Sequence, residues 1–311
     1  MRIIRINLEK LKKVKKPMVA CIGYFDGLHI GHQKLLEETC KLAKKYDCET
    51  ALITFEPDPW VVIKGEVHVK HISTMRQRIN KAVELGMDNI VFLEFTRDMS
   101  SLPPIDFMEK VLGCLNLKGL VCGFDYHFGY KGSGNVQFLQ DNASYEISVI
   151  DAIEDEKGKI SSTRISQCIE EGNMEEADRL LGSPFCIEGK VIHGKHRGTS
   201  LGFPTVNVQV SDEYLLPKRG VYAGIAHVGK KEYQCMVNIG INPTFKDVES
   251  ISLEANIFDF DQDIYGMIIA IDFLKYIRPE KSFKNTNNLV MQLEQDKRNI
   301  LKYFNEDKNN G

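Results

Sequence analysis

Short apolar runs alternate with amphipathic segments through the first half of the chain. The apolar run at 18–25 is followed at 31–46 by a segment in which Leu35, Leu36 and Leu42 recur at the spacing of one helix face. The alternation continues with apolar and helical segments at 50–55, 73–86, 89–95, 105–113, 119–124 and 145–150. Strands that are separated by helices pair in parallel, so this half predicts an α/β fold with a doubly wound parallel sheet.

The pattern changes near residues 182–185. Two short amphipathic helices end there, and helical periodicity then disappears until the last segment. In its place come short β-type runs bounded by Gly, Pro, Asn and Asp, at 185–192, 220–228, 233–240, 251–258 and 267–274. Dense short strands predict an antiparallel barrel or sandwich, and 286–304 predicts a terminal helix. We therefore expect two domains, 1–182 and 183–311.

Composition narrows the classes of function. The formal net charge of -3 gives no overall attraction to nucleic acid or to an anionic membrane, and the lysine-rich segment 10–16 is interpreted as solvated surface. The sequence shows neither an apolar run of membrane-spanning length nor a signal peptide. The eight cysteines are scattered without a C-x-x-C pair, so we expect reduced thiols in the cytoplasm rather than structural zinc or disulfides.

The first candidate site is the segment CIGYFDGLHIGH, where a predicted strand turns into a predicted helix. Gly23 lets the backbone approach a ligand, and the helix that begins near Gly31 offers unpaired N–H groups and a positive dipole end, which favour phosphate. His29 and His32 flank that glycine, so both imidazoles could donate to one phosphoryl oxygen. Two histidines without a third ligand make a poor zinc site. A structural hydrogen-bonding role for Asp26 is as consistent with the segment as a catalytic one.

This segment resembles the H-x-G-H region of the nucleotidyltransferase superfamily. Its extended form, GYFDGLHIGH, is similar to the adenylyltransferase module of prokaryotic bifunctional FAD synthetases, and GFDYHFGYKGSGN at 123–135 and ISSTRI at 160–165 agree with that module. The resemblance implies that a phosphate oxygen of FMN attacks the α-phosphorus of ATP, so that FAD forms and pyrophosphate leaves. Such a transfer needs alignment, Mg²⁺ and neutralisation of charge, and His29 and His32 would bind the ATP phosphates and the transition state.

The same resemblance assigns further residues to this module. Asp125 and Phe128 would seat the flavin, and Arg164 would neutralise the leaving pyrophosphate. ATP or its phosphates would be bound by Gly23, Phe25, Gly31, Ser162, Thr163 and Arg164. From the residues alone, Ser162 and Thr163 at a helix start could cap that helix or bind phosphate, and capping is the commoner use.

The second candidate site is the segment GKVIHGKHRGTSLGFPTVN at 189–207, whose glycines allow backbone amides to approach phosphate. It is not a Walker A loop, since no G-K-[ST] follows at the required spacing, and a glycine-rich turn without a phosphate role is the alternative. The segment resembles the signature of riboflavin kinases, and the match continues through 220–224, 238–245, 253–266 and 277–283. That family implies an antiparallel β-barrel followed by a C-terminal helix.

The kinase resemblance also implies roles for single residues. The ATP phosphates would be bound by Gly189, Gly194, Gly202, Thr205 and Asn207. Thr205 and Asn207 would also coordinate Mg²⁺. Glu254 would be the base that accepts the proton of the ribityl 5′-hydroxyl as it attacks the γ-phosphorus, although a strand glutamate taken alone usually faces solvent. Arg278 and the C-terminal helix would border the flavin.

Four positions depart from these families. Histidine is common at the position of Asp58, arginine at those of Ser166 and Thr199, and alanine at that of Val206. The first three departures remove positive charge near the expected phosphate paths, which puts the efficiency of adenylyl transfer in question more than the reaction type. His127 and Arg197 could compensate in part.

We therefore expect a cytoplasmic bifunctional enzyme that phosphorylates riboflavin with ATP to FMN and ADP, then adenylylates FMN to FAD. The alternatives are a riboflavin kinase with an impaired or altered first domain, and a flavin or nucleotide sensor without turnover. The intact HIGH and SSTR segments argue against the first alternative. Glu254, Thr205 and Asn207 argue against the second, because binding alone needs no base. Neither nucleic acid nor a membrane is expected as a partner, and the sequence does not indicate an oligomeric state.

Overall fold

The computed structural model describes residues 1–65, 69–194, 201–243 and 249–310. The chain divides into two compact units, Met1–Ser162 and Thr163–Gly311. The helices between Ser162 and Leu181 therefore group mainly with the second unit, whereas the change of sequence pattern comes after them. The functional boundary at 182/183 stays a prediction.

The first unit is built on one six-stranded parallel sheet. Its strands are β1 (Arg2–Ile6), β2 (Met18–Ile22), β3 (Glu49–Glu56), β4 (Asn89–Glu94), β5 (Leu117–Gly123) and β6 (Glu146–Ile150). Their order is β1-β4-β3-β2-β5-β6, and each neighbouring pair is parallel. The predicted doubly wound sheet is confirmed. The order reverses direction beside β2, since β3 lies on one side of it and β5 on the other, and ligands bind at such a point in open α/β sheets.

Helices cover both faces of this sheet. They are α1 (Ile30–Tyr46), α2 (Pro59–Lys64), α3 (Met75–Glu84), α4 (Arg97–Ser100), α5 (Pro104–Asp106) and α6 (Val136–Asn142). A short hairpin of β7 (Glu154–Asp155) and β8 (Gly158–Lys159) follows β6. The predicted helix at 105–113 is irregular, because α5 passes into a π-helical turn, Phe107–Val111, and then a 3₁₀ turn. This path buries Phe107, Met108, Val111 and Leu112 together.

The central strand explains where the first site forms. Met18, Ala20 and Ile22 belong to the apolar cluster on one face of the sheet, and Val19 and Cys21 to the cluster on the other. All five residues of β2 are buried, as expected for a parallel strand covered on both faces. The chain that leaves β2 must therefore turn at the sheet edge before α1 can pack.

The second unit is a closed antiparallel barrel with helices on its outside. α7 (Ser162–Glu171) and α8 (Met174–Leu181) precede it, and α9 (Thr286–Asn310) follows it. Its strands are β9 (Phe185–Ile192), β10 (Val206–Val210), β11 (Gly220–Val228), β12 (Lys231–Pro243), β13 (Glu249–Ile257) and β14 (Ile268–Arg278). Their order is β10-β13-β12-β11-β14-β9, closed on itself. The structure thus decides for the barrel over the sandwich.

α9 packs on the outer wall of the barrel. Ile300 and Phe304 of this helix are buried against Val221, Met236 and Phe258. Their burial fixes the helix against the strands that carry the second site. Within the described part of the chain, no helix is both long and apolar enough to cross a bilayer.

Candidate active sites

The turn between β2 and α1 has an unusual backbone. Phe25, Gly27 and Leu28 have φ values of 58°, 73° and 42°, in the left-handed region that costs energy for residues other than glycine. Between them, the carboxylate of Asp26 accepts hydrogen bonds from the backbone N–H groups of Ile72 and Ser73, at 3.1 and 3.2 Å. Asp26 is 7% exposed. Its contacts therefore support the structural role, in which it holds the strained turn in place.

The two histidines of this turn lie on top of each other. The ring centroids of His29 and His32 are 3.7 Å apart, with a 20° angle between the planes, and Phe25 meets the His32 ring edge-on at 5.3 Å. His29 is also the N-cap of α1, since its Nδ1 accepts from the backbone N–H of His32 at 3.3 Å. The Nδ1 atom of His32 is buried and has no hydrogen-bond partner among the residues that the structure describes.

Both imidazoles are neutral at physiological pH. Burial lowers the pKa of His29 to about 4, and the positive charge of Lys159 contributes. Burial, followed by the neighbouring His29, holds the pKa of His32 well below its ordinary value. A neutral imidazole can donate one N–H without adding a full charge to the site. Among the described residues, no three His, Cys, Asp or Glu side chains form a cluster that could hold a metal ion, so the zinc interpretation gains no support.

A cavity of about 490 Å³, which we name the turn cavity, lies beside this turn at the carboxyl ends of β2, β5 and β6. The predicted residues that line it are Gly23, Phe25, His29, Gly31, His32, Asp125 and Ser162. Residues of this lining that sequence reasoning missed include Tyr24, Trp60, Asp151 and Lys159. For Lys159, the signal that could have revealed it was its position directly before the ISSTRI segment.

Phe128 lies outside this lining. Its side chain is 6% exposed and belongs to the apolar core, where its ring stacks on Tyr126 at 5.7 Å and contacts Phe107 and Phe138. Tyr126 itself lines the turn cavity. Phe128 thus supports the cavity wall from behind.

The SSTR segment is divided between the two units. The Ser162 hydroxyl, in the first unit, donates to the backbone oxygen of Asp26 at 3.2 Å, which ties Ser162 to the strained turn. Thr163 and Arg164 belong to the second unit. There the guanidinium of Arg164 donates to Glu176 at 2.8 Å, and the two side chains are 17% and 13% exposed. Their part in phosphate binding stays a prediction.

Asp58, one of the departures, lies next to Tyr24. Its carboxylate accepts from the Tyr24 hydroxyl and caps α2 through the backbone N–H of Trp60. Burial and this carboxylate raise the pKa of Tyr24, and Nδ1 of His71 lies 3.1 Å from the same hydroxyl. The imidazole of His71 therefore lies beside the Tyr24 hydroxyl, although residue 58 itself is an aspartate.

The second site is organised by strand register. Asn207 of β10 lies opposite Glu254 of β13, and Glu254 lies opposite Asn238 of β12. Asn238 lies opposite Val221 of β11, which in turn lies opposite Arg278 of β14. Directly opposed residues project from the same face of a sheet, about 5 Å apart at Cβ. The barrel therefore presents one continuous cross-strand row on its outer wall, which we name the polar row.

A cavity of about 350 Å³ lies between this wall and α9, and we name it the wall cavity. Thr205, Asn238, Glu254 and Arg278 line it, together with the apolar side chains of Phe203, Leu289 and Leu293. Arg278 is fixed there, because Asp296 of α9 accepts from its Nε and Nη2 at 2.7 to 3.0 Å. Asp296 is 1% exposed, so this pair joins the end of β14 to the helix.

A second cavity of about 400 Å³, the loop cavity, is lined by residues 204–206, 257 and 260–265 together with Val191. Thr205 lines both the loop cavity and the wall cavity. The residue before it is held in place, since the Asn256 amide donates to the Pro204 carbonyl at 2.6 Å. Thr205 thus has a fixed position between two cavities.

The glycines of the second motif have different surroundings. A Cβ atom at Gly194 would overlap the side-chain amide of Asn207, and one at Gly189 would overlap the backbone of β10. Both glycines therefore permit close packing, whereas Gly202 has a φ of 80° and open space around it. Thr199 and Arg197 lie outside the described residues.

Comparison with known proteins matches one family to each half of the chain. A family model described as FAD synthetase matches residues 11–164, and one described as riboflavin kinase matches residues 181–304. The chain is 38% identical to a bifunctional riboflavin kinase/FMN adenylyltransferase of Listeria monocytogenes, over 92% of each chain. It is 36% identical to the protein of the same description from Bacillus subtilis, over 94% of this chain and 95% of that one.

A solved structure has the same overall fold. It is described as a macrolide-efflux protein of Streptococcus pneumoniae, is 36% identical, and superposes with a TM-score of 0.88 over 95% of this chain and 97% of that chain. The similarity to the curated relatives extends over nearly the whole of each chain and includes both motif regions. The chain therefore belongs to the family of bifunctional riboflavin kinase/FMN adenylyltransferases.

Proposed function

We propose that the barrel unit phosphorylates riboflavin and that the sheet unit adenylylates the resulting FMN, each at its own cavity. The observation that carries this division is the placement of the chemistry-bearing residues. Glu254 lines the wall cavity of the barrel, and the His29–His32 pair lines the turn cavity of the sheet unit. The two sets share no residue, so each reaction has its own binding and catalytic groups.

In the kinase reaction, riboflavin occupies the wall cavity and ATP the loop cavity. The base must contact the hydroxyl that reacts, and Glu254 lines the wall cavity alone. The apolar side chains of Phe203, Leu289 and Leu293 suit a flavin ring. The carboxylate of Glu254 accepts the proton of the ribityl 5′-hydroxyl, the hydroxyl oxygen bonds to the γ-phosphorus, and ADP leaves.

The residues present fit a magnesium ion. Thr205 offers a hydroxyl oxygen, Asn207 an amide oxygen, and Glu254 is the cross-strand neighbour of Asn207. Such hard oxygen donors are those that Mg²⁺ prefers, and Gly194 leaves room for the Asn207 amide. When bound, the ion would offset negative charge on the phosphates. Thr205 and Asn207 would hold it, and Gly189, Gly194 and Gly202 belong to the same phosphate-binding segment.

In adenylyl transfer, a phosphate oxygen of FMN bonds to the α-phosphorus of ATP while the bond to pyrophosphate breaks. The neutral imidazoles of His29 and His32 donate hydrogen bonds to phosphoryl oxygens that gain charge. The orphaned Nδ1 of His32 is consistent with a ligand that supplies its missing partner. Backbone N–H groups at the start of α1 add to this, since Gly31 keeps the helix end open to phosphate.

Further residues complete the proposal for this unit. Asp125 lies at the cavity wall and binds the flavin substrate, with Phe128 holding that wall from the core. Gly23 and Phe25 shape the floor, and Ser162, Thr163 and Arg164 contribute to the phosphate end. Reduced thiols at all eight cysteines fit a reaction in the cytoplasm.

One time course tests the assignment. The protein is incubated with riboflavin and MgATP, and the flavins are separated by chromatography. FMN should form first and FAD should follow at its expense. Accumulation of FMN without FAD would contradict the second activity, and unchanged riboflavin would contradict the first. Supplying FMN directly separates the second reaction from the first.

A further inference from the structure

The turn cavity has few positive charges for a site that must bind a triphosphate. Among the described residues that line this cavity, Lys159 is the only lysine or arginine, whereas Asp125 and Asp151 contribute two carboxylates. The buried histidines are neutral, because their pKa values are lowered. The lining therefore has two carboxylates and one ammonium group, so a contact between the Lys159 ammonium group and the phosphates would offset negative charge that the carboxylates do not.

Lys159 is placed where such a contact is possible. It is the last residue of β8, and the next residue, Ile160, has its carbonyl oxygen 3.9 Å from where a Cβ of Gly31 would be. The chain at Lys159 thus runs beside the first turn of α1. After burial, its positive charge also lowers the pKa of His29, and it adds to the larger effects of burial, His29 and Arg78 on the lowered pKa of His32.

The present partner of Lys159 is a carboxylate that can be exchanged. Its ammonium pairs with Asp125, and the side chains are 42% and 55% exposed. It also lies 4.9 Å from the centroid of the Phe124 ring. Exposed ion pairs of this kind contribute little net stability, so breaking the pair costs little when a more highly charged anion arrives.

We propose that Lys159 is a phosphate-binding residue of adenylyl transfer, which leaves Asp125 and pairs with the triphosphate when ATP binds. The exchange releases the Asp125 carboxylate for the flavin substrate. As pyrophosphate separates from the α-phosphorus, the ammonium group of Lys159 offsets the negative charge on the leaving pyrophosphate. This inference rests on the proposed adenylyltransferase function.

The test compares Lys159→Met and Lys159→Arg in the intact protein, with ATP varied at saturating FMN and FAD measured. Loss of a charge-assisted contact should lower kcat/KM for ATP about 10- to 100-fold in Lys159→Met, mainly through KM, and Lys159→Arg should restore most of it. The loss should shrink as KCl screens the charge. Lys157→Met, an exposed lysine on the same hairpin, is the matched control and should behave as wild type.

Asp125→Asn separates phosphate binding from a merely structural ion pair. If Lys159 only holds Asp125, Lys159→Met and Asp125→Asn should both raise the KM for FMN and leave the KM for ATP unchanged. If Lys159 binds phosphate, Lys159→Met should raise the KM for ATP, whereas Asp125→Asn should raise the KM for FMN alone. The thermal midpoint of each variant, followed by circular dichroism, reports that the sheet unit is folded, because riboflavin phosphorylation reports on the barrel unit alone.

The outcomes also distinguish the inference from the proposed function. If wild-type protein makes no FAD, the adenylyltransferase assignment itself fails. If wild type makes FAD and Lys159→Met keeps the wild-type KM for ATP, only the inference about Lys159 is wrong.

Discussion

The turn cavity and the wall cavity are assembled in opposite ways. At the turn, His29, Gly31 and His32 are close in sequence and are oriented by a strained backbone. At the barrel wall, Asn207, Asn238 and Glu254 are distant in sequence and are aligned by strand register. A short motif therefore describes the first site almost completely, whereas the second exists only once the barrel has closed.

The sharpest test of this contrast is the loss of one charge on the polar row. Glu254→Gln keeps the shape of the side chain and removes the proton acceptor. Riboflavin phosphorylation should fall about 10²- to 10⁴-fold, while FAD formation from supplied FMN should be nearly unchanged. The two rates are measured on one preparation by separating the flavins.

Glu280→Gln is a useful comparison for that variant. Glu280 also lines the wall cavity but lies beyond the last strand, so its loss should cost much less. Kinase activity close to wild type in Glu254→Gln would remove this residue from the mechanism.

Substitutions at the turn between β2 and α1 should do the opposite, lowering FAD formation and sparing riboflavin phosphorylation. His32→Ala should lower the turnover for FAD formation about 10²- to 10³-fold, because a donor to the transition state is lost. Riboflavin phosphorylation should be spared.

His29 needs a more careful substitution, because it also caps α1. His29→Asn keeps a good capping side chain and removes the imidazole, so it should lose FAD formation with little change in the thermal midpoint. If FAD formation survives in this variant, His29 serves as a cap alone.

The buried imidazoles also predict a pH dependence of stability. The folded protein holds the pKa of His29 near 4, below its ordinary 6.5. Between these values the unfolded chain binds a proton that the folded chain does not, so folding should weaken as the pH falls from 6.5 toward 4. The contribution is on the order of 3 kcal/mol at the lower end.

Unfolding followed by circular dichroism from pH 7 to pH 4 measures this effect. The free energy of unfolding of wild type should fall more steeply than that of His29→Asn. Parallel profiles would mean that folding does not suppress protonation of this side chain.

The smallest expected effect concerns a departure from the family. Ser166→Arg adds a cation, and if position 166 faces the phosphates, the KM for ATP in FAD formation should fall by a few-fold at low ionic strength, as one added charge-assisted contact allows. An unchanged KM would show that this side chain points elsewhere.

Pattern reasoning predicted most elements of both units. β9 and β11 begin and end at the predicted residues, because turn residues bound their apolar runs. β1 and β10 were missed, since each has five residues and two of the five are polar, which leaves too short an apolar run to mark a strand. Such strands are stabilised by the neighbours that they pair with, which local sequence does not contain.

The sites show the same limit. His29, His32 and Gly31 were identified together because one turn holds them. Asn238 and Lys159 were missed, since register places the first and a separate hairpin places the second. Phe128 was expected at the flavin, but its ring is in the core, because a sequence motif does not say which of its aromatic residues faces the ligand.

The shared position of Thr205 has a consequence for inhibitor design. Since this one residue borders both cavities of the barrel, a compound that joins a flavin ring to an adenosine through a short anionic spacer would cross at Thr205 and fill both. Such a bisubstrate ligand would gain affinity from the linkage itself. FAD, the proposed product at the turn cavity, is itself a flavin joined to an adenosine by two phosphates, whereas transfer of the γ-phosphoryl group in the barrel spans three. The longer spacer would therefore be needed for the compound to block FMN production in preference to FAD formation.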